Sequence, residues 1–220
     1  LSRSIYNELQ EARVMKNIIV VQHTQSVHHT NGMIGAWTDW ELTEYGKQQA
    51  RNISEKLKDE LLAKNYVLYT SDLKRAMQTA EPLLKYIKSE PIICQELREV
   101  NEGEATGKSV EWYNQNKAEN VYGTYFSDYK AFSGSESYRE LWSRVEKFMN
   151  RLLHSEHENI VIVSHGITLQ LFFAMWIGLK FDDLKHFGFM AVSGGISNLI
   201  LQDDGRRVIR FLNDMSYMKA

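Results

Sequence analysis

Asn17-Ile-Ile-Val-Val-Gln-His-Thr-Gln-Ser-Val-His-His29 is the stretch on which the fold of this chain turns. Ile18 to Gln22 are β-branched and apolar until the last residue, so they read as a strand buried on both faces. The strand runs into His23, then short polar residues able to turn the chain, then His28 and His29. A buried parallel strand ending on a reactive side chain is how α/β proteins build sites, because the carboxyl ends of the strands open onto one crevice.

Three further strands deliver matching chemistry. Asn159-Ile-Val-Ile-Val-Ser-His-Gly166 is a second apolar strand ending on His165, with Gly166 expected to let the backbone turn into a helix. Tyr66-Val-Leu-Tyr-Thr-Ser71 precedes a helix whose first turn carries Arg75, where free N–H groups and the helix dipole already favour an anion. Ile92-Ile-Cys-Gln-Glu-Leu-Arg-Glu99 places an acid soon after a short strand. Two histidines, an arginine and a glutamate at a helix start suit phosphoryl transfer through a phosphohistidine. An imidazole attacks phosphorus, cations hold the equatorial oxygens, and a carboxylic acid protonates the leaving oxygen. That chemistry needs no metal and no other cofactor.

Outward from these strands, a helix is predicted from an N-cap at Thr43 to Ala63, with Ala50, Ile53, Leu57 and Leu61 inward. A second is predicted over 73–88, with Pro82 kinking or restarting it. Residues 101–135 lack a clean period and are dense in aromatics, from Trp112 to Phe132, which reads as an inserted cap. Ser135 is expected to N-cap an amphipathic helix over 136–153, and an almost wholly apolar helix covers 167–177. Residues 195–202 and 206–212, joined by Asp203-Asp204-Gly205, read as a closing hairpin. The result is an α/β three-layer sandwich, a mixed and mostly parallel sheet with helices on both faces.

Composition narrows the class. With 220 residues, 43% hydrophobic and 25% charged, residues 15–220 make one domain, while 1–14 read as a leader or upstream extension. A net charge of -2 offers no basic field for nucleic acid or an anionic membrane. The single Cys94 fits a reducing, cytoplasmic setting, and the longest apolar run, Leu169 to Leu179, is too short to span a bilayer.

At these residues the chain resembles the histidine phosphatase superfamily, also called phosphoglycerate mutase-like. The motifs are Gln22-His23-Thr24-Gln25-Ser26, Leu42-Thr43-x-x-Gly46, Ser71-Asp72-Leu73-x-Arg75-Ala76, Leu97-Arg98-Glu99, Gly103-Glu104-x-x-Gly107 and Val163-Ser164-His165-Gly166. The resemblance implies His23 as phosphorylated nucleophile and Glu99 as general acid and then base. It places Arg75 and His165 on the phosphoryl group, helped by backbone N–H groups near Thr24 and Gly166. Glu96, Glu102 and Glu104 compete with Glu99 as ordinary solvated acids, and the family's Leu-x-Glu spacing favours Glu99.

One position departs from the pattern. Gln22 stands where the family usually carries an arginine, and a neutral donor bonds phosphate about half as strongly as a charged one. His28 and His29 are the expected compensation, as imidazolium beside a phosphate. His23, His28 and His29 fit no common zinc spacing, so no metal is expected. The reading is therefore a phosphatase of small phosphomonoesters. The alternatives are a weakened relative that only binds a phosphorylated ligand, and a mutase, for which the cap's three lysines are a poor second phosphate site.

Overall fold

The computed structural model describes residues 14–218. Strand β1 (Val14–Gln22) lies at the centre of the sheet because its residues face apolar layers on both sides. Ile18 and Val20 point to one face and Ile19 and Val21 to the other, all of them buried. The strand begins at Val14, so that residue of the expected leader belongs to the sheet; residues 1–13 lie outside the described residues.

The chain continues through α1 (Glu44–Ala63), β2 (Tyr66–Thr70), α2 (Lys74–Ala80), β3 (Ile92–Ile93) and α3 (Val110–Asn116). It ends with α4 (Tyr138–Leu153), β4 (Asn159–Ser164), α5 (Gly166–Trp176), β5 (Ile196–Gln202) and β6 (Arg207–Asp214). The sheet order is β3-β2-β4-β1-β5-β6. The first four strands in that order run parallel, while β5 joins β1 and β6 joins β5 antiparallel. Helices α1 and α2 pack one face through Ile53, Leu57, Leu61, Ala76 and Ala80; α4 and α5 pack the other through Leu141, Val145, Phe148, Leu169 and Phe172. This is the expected sandwich.

Local starts and stops follow capping chemistry. Thr43 Oγ1 accepts the Gly46 N–H at 3.0 Å, as its N-cap place requires. The helix expected over 73–88 ends at Ala80 and tightens into a 3₁₀ segment, Glu81–Lys85, at Pro82, which has no N–H to continue the ladder. The start of α4 needs correcting. Its cap is Ser137, not Ser135: Ser137 Oγ accepts the Glu140 N–H at 3.2 Å while Glu140 reaches back to the Ser137 N–H at 2.9 Å. Ser135 Oγ instead donates to Phe132 O, closing the turn before it.

Residues 101–135 form a small cluster of their own, with Ala105, Tyr129, Ala131 and Phe132 buried and Trp112 and Tyr113 against Phe132. No helix among the described residues is long and apolar enough to cross a membrane.

Candidate active site

The carboxyl ends of β1, β2 and β4 meet beneath a cavity of about 200 Å³. It is lined by Gln22, His23, His28, His29 and Arg75 at the strand and loop ends, and by Glu99, Val100, Glu102, Gly166 and Ile167 beyond them. A larger hollow of about 370 Å³ lies at the other end of β2, near Leu61 and Ser89, and has no histidine or carboxylate in its wall.

His23 is wholly buried, and its tautomer is fixed by its neighbours. Nδ1 lies 2.8 Å from Thr24 O, an atom that only accepts, so Nδ1 carries the proton. The lone pair is therefore on Nε2, where Arg75 Nε donates at 3.3 Å. Burial first, and then the Arg75 charge, hold the His23 imidazole well below the usual histidine range. The neutral ring, with its lone pair on Nε2, is the favoured form.

Arg75 is 1% exposed and is fixed by main-chain carbonyls: Nη1 donates to Thr38 O at 2.9 Å and Nη2 to Ala36 O at 2.7 Å. Three of its five N–H groups are thus committed, leaving two for a ligand. Ala36 holds its carbonyl in place from a left-handed backbone with φ of 38°, a rare conformation for a residue with a Cβ. Nothing in the sequence signals these two carbonyls.

His165 sits behind His23, ring centroids 5.0 Å apart, fully buried. Neither of its ring nitrogens has a partner, and Gln22 Oε1 is also buried without one. Gln22 lines the cavity while His165 lies behind its wall, and buried polar atoms without a partner beside a cavity call for a ligand. Burial, and then Arg75, keep His165 neutral as well.

Glu99 closes the other side. Its carboxylate accepts the N–H groups of Ile167 and Thr168 at 3.2 and 3.3 Å, at the start of α5, and that of Val100 at 3.0 Å. Gly166, the first helical residue, has an N–H with no partner inside its helix. The tight turn expected of Gly166 is not what its position shows. Its φ is ordinary, and an added Cβ would meet the Gln22 amide at 3.5–3.7 Å, a normal contact inside the cavity wall.

One expectation is revised. Thr24 does not line the cavity: its N–H donates to Thr79 Oγ1 at 3.1 Å and its Oγ1 to Gly46 O at 2.8 Å, which commits both elsewhere. For His28 and His29 the protein's own surroundings disfavour the charged ring. Burial and then the neighbouring His29 bring His28 down to about 3, and burial and then Arg75 lower His29. What His29 offers is a donor. Its Nδ1 accepts the Ser26 N–H at 3.3 Å, so the proton of the neutral ring stands on Nε2. Gly35 makes room for this arrangement, since a Cβ there would lie 2.7 Å from the His28 ring.

Donor atoms of His23, His28 and His29 lie within 4.8 Å of one another, near enough to ask about a metal ion. The rings are not set as a chelate. His23 and His29 are stacked 5.3 Å apart with planes only 13° from parallel, so their in-plane lone pairs do not aim at one point.

A buried imidazole, a buried guanidinium, unpartnered buried polar atoms and a carboxylate at a helix start are thus gathered at one cavity of an α/β sandwich. The histidine phosphatase superfamily (branch 1) model matches residues 18–214, and the chain belongs to that family. Phosphoserine phosphatase 1 of Hydrogenobacter thermophilus is 28% identical over 201 residues, 90% of this chain and 92% of that protein. The adenosylcobalamin/alpha-ribazole phosphatase of Escherichia coli is 29% identical over 171 residues, 76% of this chain and 82% of that protein. The crystal structure of the alpha-ribazole phosphatase from Shigella flexneri superposes with a TM-score of 0.77 at 27% identity, covering 90% of this chain and 96% of that one.

Proposed function

We propose that this phosphatase hydrolyses small phosphomonoesters through a phosphohistidine formed on His23 Nε2. The observation that carries the reading is the His23–Arg75 contact: the His23 Nε2 lone pair faces the Arg75 guanidinium, the lysine-or-arginine cation of the cavity wall, at 3.3 Å. As the Nε2 lone pair forms the N–P bond, the P–O bond to the leaving alcohol breaks and Glu99, which enters this step as the carboxylic acid, gives that oxygen its proton. Glu99, now a carboxylate, takes a proton from water. The water oxygen attacks phosphorus, the N–P bond breaks, and phosphate leaves.

The growing charge on the equatorial oxygens falls to the two free Arg75 N–H groups, His29 Nε2–H, the Gly166 N–H and His165. With Gln22 in the wall in place of a cation, His29 supplies a donor rather than a charge. Arg75 is the only lysine or arginine in the wall, which supports hydrolysis over a mutase cycle that must hold two phosphates. The name phosphatase among the relatives agrees with this.

Hydrolysis of an aryl phosphate with chelator present, native chain against His23→Ala, tests the reading. Activity that survives chelator and vanishes in the variant, with acid-labile label trapped on His23 after alkaline quench, is the expected result. Phosphate binding without turnover would instead place the chain with non-catalytic phospho-ligand binders.

A further inference from the structure

The cavity holds a second carboxylate that the hydrolysis does not use. Glu102 lines it three residues beyond Glu99, partly buried, with Tyr113 beside it favouring its charged form. None of the ion pairs among the described residues includes Glu102. The nearby guanidinium groups are committed elsewhere, Arg98 to Asp72 and Arg144 to Glu136. Glu102 and Arg75 line the same cavity without pairing with each other. Burial, and the adjacent Glu99, make its negative charge costly there, against the pull of Tyr113. A carboxylate beside a tyrosine in a cavity wall, without a paired cation, is matched by a cation brought by the ligand.

We propose that Glu102, beside Tyr113, selects phosphomonoesters whose leaving alcohol carries a positively charged nitrogen, the phosphorylated amino alcohols. This rests on the phosphatase reading above and adds the substrate class. With the phosphoryl group against Arg75 and His23, the leaving oxygen lies at Glu99 and the remainder of the alcohol extends towards Glu102, Val100 and Ile167. An ester with a second anionic group on the alcohol meets two carboxylates and no second lysine or arginine in the wall.

The test compares kcat/KM for choline phosphate with that for its uncharged carbon isostere, 3,3-dimethylbutyl phosphate, and for 3-phosphoglycerate, each measured within one enzyme variant. The native chain is expected to favour choline phosphate over the isostere by about tenfold or more, with 3-phosphoglycerate the poorest. Glu102→Gln should bring the ratio to about one and Glu102→Lys should take it below one. The ratio is internal to each variant, so a loss of folded protein cannot mimic it. A native ratio near one, or a preference that survives Glu102→Gln, overturns the assignment while aryl phosphate hydrolysis leaves the phosphatase reading standing. Absence of turnover on every ester, aryl phosphate included, overturns both.

Discussion

Arg75 Nε donates to His23 Nε2 across 3.3 Å, so the proposed phosphate-binding cation and the proposed attacking nitrogen are in direct contact. The contact has a directional consequence for pH. A protonated Nε2 cannot accept that bond and would set two positive charges against each other in a buried site. Burial and Arg75 both lower the pKa of His23, and kcat/KM reports the ionisation of the free enzyme. Once the ionisation of the substrate itself is allowed for, the acid limb of kcat/KM is expected well below about 6.5, the ordinary histidine value. A limb at about 6.5 or above in a pH–rate series would overturn the assignment.

His29 presents Nε2–H to the cavity because the Ser26 N–H occupies its other nitrogen. If it stands in for the missing arginine, His29→Ala should lower kcat/KM on an aryl phosphate by about 10²-fold, the usual worth of one oxyanion donor. His29→Asn, which can present an amide N–H, should recover part of that loss. A loss of less than about threefold in the alanine variant would remove His29 from the phosphate site.

The strands were legible because their burial is two-sided and leaves an unbroken apolar run, and the site followed from where those runs stop. Less legible was anything set by a single hydrogen bond. Ser135 and Ser137 both precede the amphipathic run; only Ser137 has a glutamate three residues on, Glu140, and that capping-box spacing was the available signal. Thr24 sits beside His23 in sequence, yet Thr79, 55 residues away, decides where its N–H points. Glu102 was indistinguishable from Glu96 and Glu104 until the fold put one of them in the cavity wall.

His28 gives a stability prediction. Its folded-state pKa is about 3, below the ordinary histidine value, through burial first and then the neighbouring His29 and Arg75. The unfolded chain therefore binds a proton that the folded chain refuses. The stabilisation is complete above about 6.5 and is lost progressively as pH falls towards the folded value. His23 and His165 act in the same direction, whereas Glu60, Asp72 and Glu96 are lowered and titrate only at more acid pH. Between about pH 6.5 and 5 the histidines thus dominate. Urea melts across that window should show His28→Asn losing less stability than the native chain, by up to ~1 kcal/mol per pH unit after screening by water. Equal slopes would mean that His28 is as easily protonated when folded as when unfolded.

Glu99 serves two structures at once, which makes its role separable. Its oxygens accept the Ile167 and Thr168 N–H groups at the start of α5, and its carboxyl lines the cavity where the leaving oxygen must lie. Glu99→Gln keeps an acceptor for the helix and removes the transferable proton, so stability should fall by no more than ~1 kcal/mol. Catalysis should fall unevenly. An alkyl alkoxide cannot leave without a proton, and its release is expected to slow by ~10²–10⁴, the usual contribution of general acid catalysis. A nitrophenolate leaves unaided, so phosphorylation of His23 by nitrophenyl phosphate should be nearly spared. The phosphoenzyme should then accumulate, because the base that activates water is gone. Rapid-quench measurement of label on the protein with both esters decides the matter: equal slowing, without accumulation, would assign Glu99 to the helix start alone.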